Sequence, residues 1–439
     1  MSTNLGVFPK NARINEKGHL EIAGIDAVDL VREFGTPLFV YDEEHLRDNC
    51  RRYVRAFTSH GVEHVVAYAS KAFMTIAMAQ LAYQEGLWLD VSTGGELYTA
   101  LAAGVPGERL LFHGNNKSLE ELELALDNQV GLIVVDNFNE VEMLDALMKR
   151  RGGKQRVLIR VTPGIIPSTH SYIQTGQVDT KFGFGLTTGL AMEAAIEVLN
   201  RETLALEGFH IHIGSQIFAL NSFERAVEVI CGFVADVRSR TGYAPAILDL
   251  GGGLGVAYRR DDTPATIEEF VNVLISSLKR ECESRNLSLP FVIIEPGRSV
   301  VANACVTLYT VGAVKEIPGV RTYISVDGGM SDNLRPMLYG AVYEAALANR
   351  MTDSPDLTVT IAGKHCESGD ILARDVWLPS PRPGDILVMP VTGAYGYAMA
   401  NNYNRQPRAA VVFAAEGRAR VVVRRETYED IVRLDLPLA

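Results

Sequence analysis

The sequence contains no long hydrophobic run. No stretch of the 439-residue chain approaches the ~20 consecutive apolar residues of a membrane-spanning helix. The first residues, Met1–Gly6, lack the basic and apolar regions of a signal peptide. We therefore expect a protein that is neither inserted in a membrane nor exported.

Cysteine is scarce and shows neither a paired nor a metal-type spacing. The chain has five cysteines, which are Cys50, Cys231, Cys282, Cys305 and Cys366. Disulfides persist in oxidising compartments, and there they follow characteristic spacings. The pattern predicts free thiols and a cytoplasmic location.

Basic residues are fewer than acidic residues in this chain. Lysine and arginine number 42 against 53 aspartates and glutamates, which gives a formal net charge of −11. This balance argues against nucleic acid or an anionic membrane as the main partner, because both attract basic surfaces. It leaves open a small anionic ligand bound by a local basic patch. The hydrophobic share of 47% is sufficient for a sizeable core.

Apolar segments of strand character alternate with helical stretches over the first three quarters of the chain. The segments are Val65–Tyr68, Leu87–Val91, Arg109–Phe112, Gly131–Val135, Arg156–Val161, Leu206–Ile213, Ala246–Leu250 and Phe291–Ile294. Continuous apolar runs are typical of buried parallel strands. A doubly wound sheet has the same alternation with fewer units, so the count of repeats favours a (β/α)8 TIM barrel. We place this domain at residues 46–305.

Beyond about Ala304 the alternation stops, and strands follow one another without helices of matching length. The sequence therefore predicts a second, β-rich domain at residues 306–439. We expect residues 1–45, which also contain strand-like segments, to join it. The sequence shows no low-complexity linker between the two domains.

Polar and glycine-rich residues follow the ends of the predicted barrel strands. Lys71, within Tyr68–Ala72, stands where the first strand gives way to a helix predicted from Phe73. The corresponding residues after later strands include Asp90, His113, Asp136, His210, His212, Asp249 and Glu295. Barrel enzymes carry their chemistry at this rim. A single lysine there is more often a surface side chain, so the interpretation depends on its neighbours.

The run Gly251–Gly253 does not fit the dinucleotide pattern G-x-G-x-x-G, because Val256 occupies the last glycine position. It fits either a tight turn or a backbone nest around a phosphate. Gly253, Gly297 and Arg298 fall in the loops after the seventh and eighth strands, where barrels commonly bind phosphate.

His210 and His212 share a face of the sixth strand, a pattern that also suits packing or a metal pair. No third metal ligand stands at the right spacing, so we predict no metal. A lysine, a phosphate nest, a flat ring and a carboxylate together suit pyridoxal phosphate. In this interpretation Lys71 binds the cofactor aldehyde, Glu295 pairs with the pyridine nitrogen and His212 stacks on the ring.

The motifs at these positions resemble those of the barrel-type (fold type III) pyridoxal-phosphate decarboxylases. They are Tyr68–Ala72, His212–Gln216, Gly251–Gly253 and Glu295–Arg298. Three later motifs are similar to those of the diaminopimelate decarboxylase family, namely Asp327–Tyr339, Cys366–Asp370 and Thr392–Met399. The resemblance extends over nearly the whole chain.

This resemblance implies a homodimeric lyase that converts meso-2,6-diaminopimelate to L-lysine and CO2, the last step of bacterial-type lysine biosynthesis. It implies Lys71, His212 and Cys366 as catalytic residues. The implied cofactor-binding residues are Lys71, Asp90, His212, Ser215, Gly252, Gly253, Glu295, Pro296, Gly297, Arg298 and Tyr395. The implied substrate-binding residues are Arg298, Arg335, Tyr339, Glu367 and Tyr395. Cys366 and Glu367 would reach the site from the second subunit.

The chain departs from the family pattern at Ile211, Ile166 and Ser168. Family members often have cysteine at the first position, an acidic residue near the second and histidine at the third. Alternatives are a decarboxylase of another basic or D-configured amino acid and a non-catalytic relative. A racemase of the same barrel class is disfavoured by the Cys366–Asp370 motif, and the presence of Lys71 and Cys366 disfavours a non-catalytic relative.

Overall fold

The computed structural model describes residues 5–165 and 180–438. Ile166 and Ser168 lie outside the described residues. The chain divides into two units. One comprises Asn49–Val256 and Thr263–Ser299, and the other comprises Met1–Asp48, Ala257–Asp262 and Val300–Ala439.

Eight parallel strands of the first unit form a closed barrel. Each strand pairs with its neighbour in sequence, and the eighth pairs with the first. In chain order the strands are His64–Ala69, Trp88–Val91, Leu110–Phe112, Leu132–Val135, Gln155–Thr162, Leu204–Ile211, Ile247–Asp249 and Phe291–Ile294. These segments are rich in apolar residues, as expected for strands covered on both faces. The predicted (β/α)8 barrel is confirmed.

Helices alternate with the barrel strands. They are Glu43–Thr58, Ile76–Gln84, Gly94–Ala102, Leu119–Asp127, Phe138–Arg151, Leu190–Leu199, Asn221–Thr241, Ile267–Ser284 and Arg298–Val301. Several of these helices are preceded by an N-cap residue whose side-chain oxygen accepts the N–H of the third helical residue. The N-cap residues are Thr75, Thr93, Ser118, Asn137 and Thr266. Each such cap stabilises its helix by about 1 kcal/mol. The helix predicted from Phe73 therefore begins only at Ile76.

Apolar side chains fill the interior of the barrel. One buried cluster consists of Ala67, Leu111, Leu132, Val134, Leu158, Ile247 and Ile293. Its members come from strands on different sides of the ring, so they meet across the interior. Because the strands are parallel, their carboxyl ends open at one rim, where barrel enzymes bind their ligands.

A short strand, Phe184–Gly185, pairs in parallel with the end of the fifth barrel strand at Val161 and Thr162. The Thr162 hydroxyl donates to the carbonyl oxygen of Phe182 at 2.6 Å. The two ends of the connection that follows the fifth strand are thus held side by side.

The second unit consists mainly of strands. They are Ala12–Ile14, Leu20–Ile22, Ile25–Asp26, Leu38–Asp42, Cys305–Ile317, Arg321–Val326, Ala346–Leu347, Leu357–Ala362, Ile371–Leu378, Ile386–Pro390, Ala410–Ala415 and Arg418–Val423. Its helices are Ala27–Phe34, Arg335–Tyr339 and Tyr428–Val432. Leu38–Asp42 lies between Cys305–Ile317, which runs antiparallel to it, and Ala410–Ala415, which runs parallel. The N-terminal region thus contributes a strand to this sheet, as predicted.

The sequence did not predict the strand Ile371–Leu378. It pairs with Leu357–Ala362, and only Leu372 and Leu378 of its residues are buried. Exposed polar residues therefore hide the apolar pattern on which the prediction depends. Among the helices of the described residues, none combines the length and apolar character needed to cross a membrane.

Candidate active site

Lys71 lies at the rim of the barrel, in the 3₁₀ turn Ser70–Ala72 that follows the first strand. Its Nζ donates a hydrogen bond to Oδ2 of Asp90, at the end of the second strand, over 2.8 Å. The Asp90 side chain is fully buried, whereas 43% of the lysine side chain is exposed. The buried carboxylate thus holds an amine that a ligand in the mouth of the barrel can reach.

Glu295 follows the eighth strand, and two histidines contact its carboxylate. The Nε2 atom of His113 lies 2.5 Å from Oε1, and the Nε2 atom of His210 lies 3.1 Å from Oε2. The two imidazole rings meet edge to face, with centroids 4.8 Å apart. All three side chains are buried. Each carboxylate oxygen therefore has one imidazole beside it.

A second carboxyl group, that of Asp249 at the end of the seventh strand, belongs to the same cluster. Burial and the charge of Glu295 raise the pKa of Asp249 well above its ordinary value. Burial also raises the pKa of Glu295, but His113 and His210 outweigh it and bring that pKa well below the usual range. The surroundings therefore favour the protonated form of Asp249 and the ionised form of Glu295.

His212 presents a neutral imidazole at the same rim. Burial and the positive charges of Lys71 and Arg160 lower the pKa of His212 well below its ordinary value. The Gly252 N–H donates to its Nδ1 over 3.3 Å. A neutral, oriented ring is suited to stacking on a flat ligand.

The loops after the sixth and eighth strands meet through Ser215 and Arg298. The Arg298 Nε and Nη2 atoms donate to the Ser215 hydroxyl over 3.1 and 3.0 Å. The carbonyl of Pro296 accepts the Ala69 N–H over 3.1 Å, which connects the eighth loop to the end of the first strand. These contacts place a guanidinium, a hydroxyl and backbone groups at one side of the rim.

Glycine is required at two points of this rim. Gly253 has a φ of +119°, and a Cβ there would lie 2.4 Å from the Gly214 carbonyl oxygen. A Cβ on Gly297 would lie 3.0 Å from Cβ of Ala69. The backbone at both positions therefore packs closely against neighbouring segments of the rim, and this close approach favours glycine.

A buried ion pair supports the loop that carries His113. The Lys117 Nζ donates to both Glu140 oxygens over 3.1 and 3.0 Å, and both side chains are 1% exposed. The same amine donates to the carbonyls of Gly114 and Val134 over 2.8 and 2.7 Å. This pair thereby fixes the loop after the third strand to the end of the fourth.

Three of the predicted site residues, Arg335, Tyr339 and Tyr395, belong to the second unit. Arg335 begins the helix Arg335–Tyr339 and is buried. Its guanidinium lies 4.7 Å from the ring centroid of Tyr258 and bonds to the Tyr343 hydroxyl over 2.5 Å. Tyr395 adopts a left-handed backbone with φ +58°. The structure thus holds the Arg335 guanidinium in one orientation.

Cys366 and Glu367 are exposed on a loop of the second unit. The Cys366 N–H donates to the Asn404 side-chain oxygen over 2.8 Å. Asp370, which is buried, accepts the backbone N–H groups of His365 and Met330 over 3.0 and 2.7 Å. A well-anchored loop therefore presents a thiol and a carboxylate to the surroundings.

The sequence assigned no role to His113, Asp249 or Arg160. His113 and Asp249 stand at the ends of predicted strands, but their common partner Glu295 lies far away in sequence. Arg160 is a buried cation that follows the apolar run Val157–Ile159 of the fifth strand, and a charge in this position was the available signal. Ile211, the departure in the sixth strand, is buried.

Several buried polar atoms of the rim have no aligned hydrogen-bond partner among the described residues. They are Asp90 Oδ1, His113 Nε2, His210 Nδ1, Asp249 Oδ2 and Glu295 Oε1. Such atoms are rare in folded proteins and indicate a place for polar ligand atoms. A protonated pyridine nitrogen supplies an aligned donor for Glu295 Oε1, and the glycine loops with Ser215 and Arg298 suit a phosphate. The residues present fit pyridoxal phosphate.

Comparison with protein families agrees with this fit. The profile described as "Pyridoxal-dependent decarboxylase, pyridoxal binding domain" matches residues 43–302. This match, the closed barrel and the rim lysine define a barrel-type decarboxylase that uses pyridoxal phosphate as its cofactor.

Two curated relatives, the diaminopimelate decarboxylases of Bacillus subtilis and Halalkalibacterium halodurans, are 53% and 51% identical to the chain. The matches cover 97% and 98% of this chain, and the same shares of the two relatives. The chain belongs to the diaminopimelate decarboxylase family. A solved diaminopimelate decarboxylase of M. jannaschii in complex with L-lysine has a TM-score of 0.91 at 34% identity and covers 98% of both chains.

Proposed function

We propose that the protein decarboxylates meso-2,6-diaminopimelate to L-lysine and CO2, as the last step of lysine biosynthesis. The observation that carries the chemistry is the buried Glu295 carboxylate, with its two imidazoles, at the same rim as Lys71. Full-length similarity to diaminopimelate decarboxylases supports the choice of substrate. The free state of all five cysteines supports a cytoplasmic location.

Residues of the barrel hold the cofactor in this proposal. Lys71, oriented by Asp90, binds its aldehyde, and the loops with Ser215, Gly252, Gly253, Gly297 and Arg298 hold its phosphate. His212 stacks on the ring, Glu295 accepts the pyridine N–H, and Pro296 and Tyr395 complete the contacts. The bound cofactor supplies a ring that accepts the electron pair left behind when CO2 departs.

The substrate has a carboxylate and an ammonium group at each end, and only one end loses CO2. Arg298, Arg335 and Tyr339 bind carboxylate oxygens, for which a fixed guanidinium is well suited. Glu367 binds the ammonium of the end that is retained. The Cα–carboxylate bond breaks, and the Cys366 thiol gives its proton to the Cα atom. The resulting thiolate regains a proton from water.

The substrate assay compares CO2 release from meso-diaminopimelate, lysine, ornithine and arginine. We expect kcat/KM for meso-diaminopimelate to exceed that for the other three by roughly 10²-fold or more, because they lack the second carboxylate. A preference for ornithine or arginine would assign the chain to another decarboxylase activity. Release from none of them would indicate a non-catalytic relative.

We further propose a homodimer in which each site takes Cys366 and Glu367 from the opposite subunit. The support is that these two residues are exposed, although a proton donor and an ammonium ligand must work shielded from water. Mixing equal amounts of the Lys71→Ala and Cys366→Ala variants tests this arrangement. Half of the randomly formed dimers are mixed, and each mixed dimer has one intact site, so about a quarter of wild-type activity is expected.

The control is a mixture of Lys71→Ala with Glu295→Gln, in which both lesions lie in the barrel. Every site of its mixed dimers carries one lesion, so no activity returns. If the first mixture were as inactive as this control, a site shared between subunits would be ruled out.

A further inference from the structure

Glu295 is surrounded by more proton-bearing groups than a single pyridine partner requires. His113 and His210 come from the ends of the third and sixth strands, and Asp249 from the seventh. Their ligand-type atoms and those of Glu295 all lie within 4.8 Å of one another. All four side chains are buried. Four elements of the barrel thus converge on one carboxylate.

The shortest contact within this group joins His113 and Glu295. His113 Nε2 and Glu295 Oε1 lie 2.5 Å apart. Two ligands of a tetrahedral zinc ion, each about 2.1 Å from the metal, would be separated by about 3.4 Å. At the observed distance the His113 imidazole favours the ionised form of the carboxylate, although the two atoms are not aligned for a hydrogen bond.

The charged surroundings favour one arrangement of protons. Burial lowers the pKa of His210 to about 4, so its imidazole is neutral and its Nε2–H is available to the carboxylate. Burial and the charge of Glu295 favour the protonated form of Asp249, as described above. Among the described residues, the other charged or titratable groups that act on the cluster include Lys71, Asp90, Glu96, Arg160 and His212.

We propose that His113, His210 and Asp249 are positioning residues that keep Glu295 ionised, so that the proton it shares with the cofactor stays on the pyridine nitrogen. This inference rests on the proposed pairing of Glu295 with that nitrogen. A buried carboxylate without donors would take the proton itself, because burial disfavours its charged form. The ring would then be neutral and a weaker acceptor of electrons.

The test uses holoenzyme reconstituted with pyridoxal phosphate labelled with ¹⁵N in the ring. The ¹⁵N chemical shift in solid-state NMR distinguishes a protonated from a neutral pyridine nitrogen and needs no turnover. We expect the protonated shift in the wild-type protein. The double variant His113→Met/His210→Met, which removes both donors at similar volume, should move the shift towards the neutral form and lower kcat tenfold or more.

Two matched variants separate donor loss from packing damage. His113→Gln/His210→Gln has nearly the volume of the methionine pair but keeps an N–H donor at each position, so the protonated shift should return. Phe209 directly precedes His210 in the sequence, and its ring packs against Phe233. Phe209→Leu removes this ring and should leave the ¹⁵N shift unchanged. A methionine pair with the wild-type shift would overturn the proposal.

A measurement on the wild-type holoenzyme applies even if the methionine pair does not fold. With Glu295 held ionised, the ¹⁵N shift should stay at its protonated value between about pH 6 and pH 9, across the ordinary histidine range. A shift that titrates within this range would also overturn the proposal. A failure of the proposed reaction would be distinguishable from a failure of this inference. In that case the wild-type holoenzyme would show the protonated ¹⁵N shift but would release no CO2 from meso-diaminopimelate.

Discussion

Replacing Lys71 by alanine is expected to lower kcat by about 10³-fold or more and to remove the visible absorption of lysine-bound pyridoxal phosphate. The amine is the nucleophile that attaches the cofactor aldehyde, and loss of such a nucleophile has a large effect. Asp90, whose carboxylate holds the amine 2.8 Å away, cannot substitute for it, because it is no nucleophile for an aldehyde. Absorption spectra and CO2 release measure the two effects.

Lys154→Ala is the control for this substitution. Lys154 is exposed and precedes the fifth strand, so it lies at the opposite end of the barrel from the rim. Its loss should change neither the spectrum nor turnover. A Lys71→Ala protein with an unchanged spectrum and unchanged turnover would remove the basis of the proposed site.

Replacing Lys117 by methionine is expected to lower the free energy of unfolding by roughly 3–5 kcal/mol, because it leaves the Glu140 carboxylate buried without its cation. Burial lowers the pKa of Lys117 despite the charge of Glu140. Burial likewise raises the pKa of Glu140 despite the charge of Lys117. Desolvation thus outweighs the attraction within the pair, so the double variant Lys117→Met/Glu140→Leu should recover much of the loss.

The matched control is Lys149→Met. Lys149 pairs with Asp145 over 2.8 Å, but 65% of the lysine side chain is exposed. The loss from an exposed pair should stay below about 1 kcal/mol. Denaturant unfolding of the holoenzymes measures both variants, and equal losses would show that burial of the Lys117–Glu140 pair has no special effect.

The barrel was predictable from sequence because buried parallel strands are apolar along their length. Counting such segments gave the eight strands, although their bounds differ by a few residues. The strand Ile371–Leu378 was not predictable, because Arg374 and Asp375 interrupt an edge strand with only two buried residues. Helix starts were not predictable without the capping residues, since the helix predicted from Phe73 begins at Ile76, after the N-cap Thr75.

The positions of Lys71 and Glu295 at the rim were predictable, because both follow the ends of apolar strands, and the roles assigned to them stay predictions. The protonation of the site residues was not predictable from the sequence, because it depends on groups that only the fold brings together. Asp249 is an ordinary aspartate in sequence, and burial next to Glu295 raises its pKa well above the ordinary value. Arg160 and His113 acquire their significance in the same way. The roles of Cys366 and Glu367 were taken from family resemblance and stay predictions.

The paired ends of the connection after the fifth strand have a consequence for divergence among relatives. The strand pairing of Phe184 with Val161 and the Thr162–Phe182 hydrogen bond close this connection at its base. The closure entropy of a loop rises only slowly, by about 0.6 kcal/mol for each doubling of its length. A connection of different length that is closed by the same two contacts would therefore leave the fifth strand in its place in the barrel.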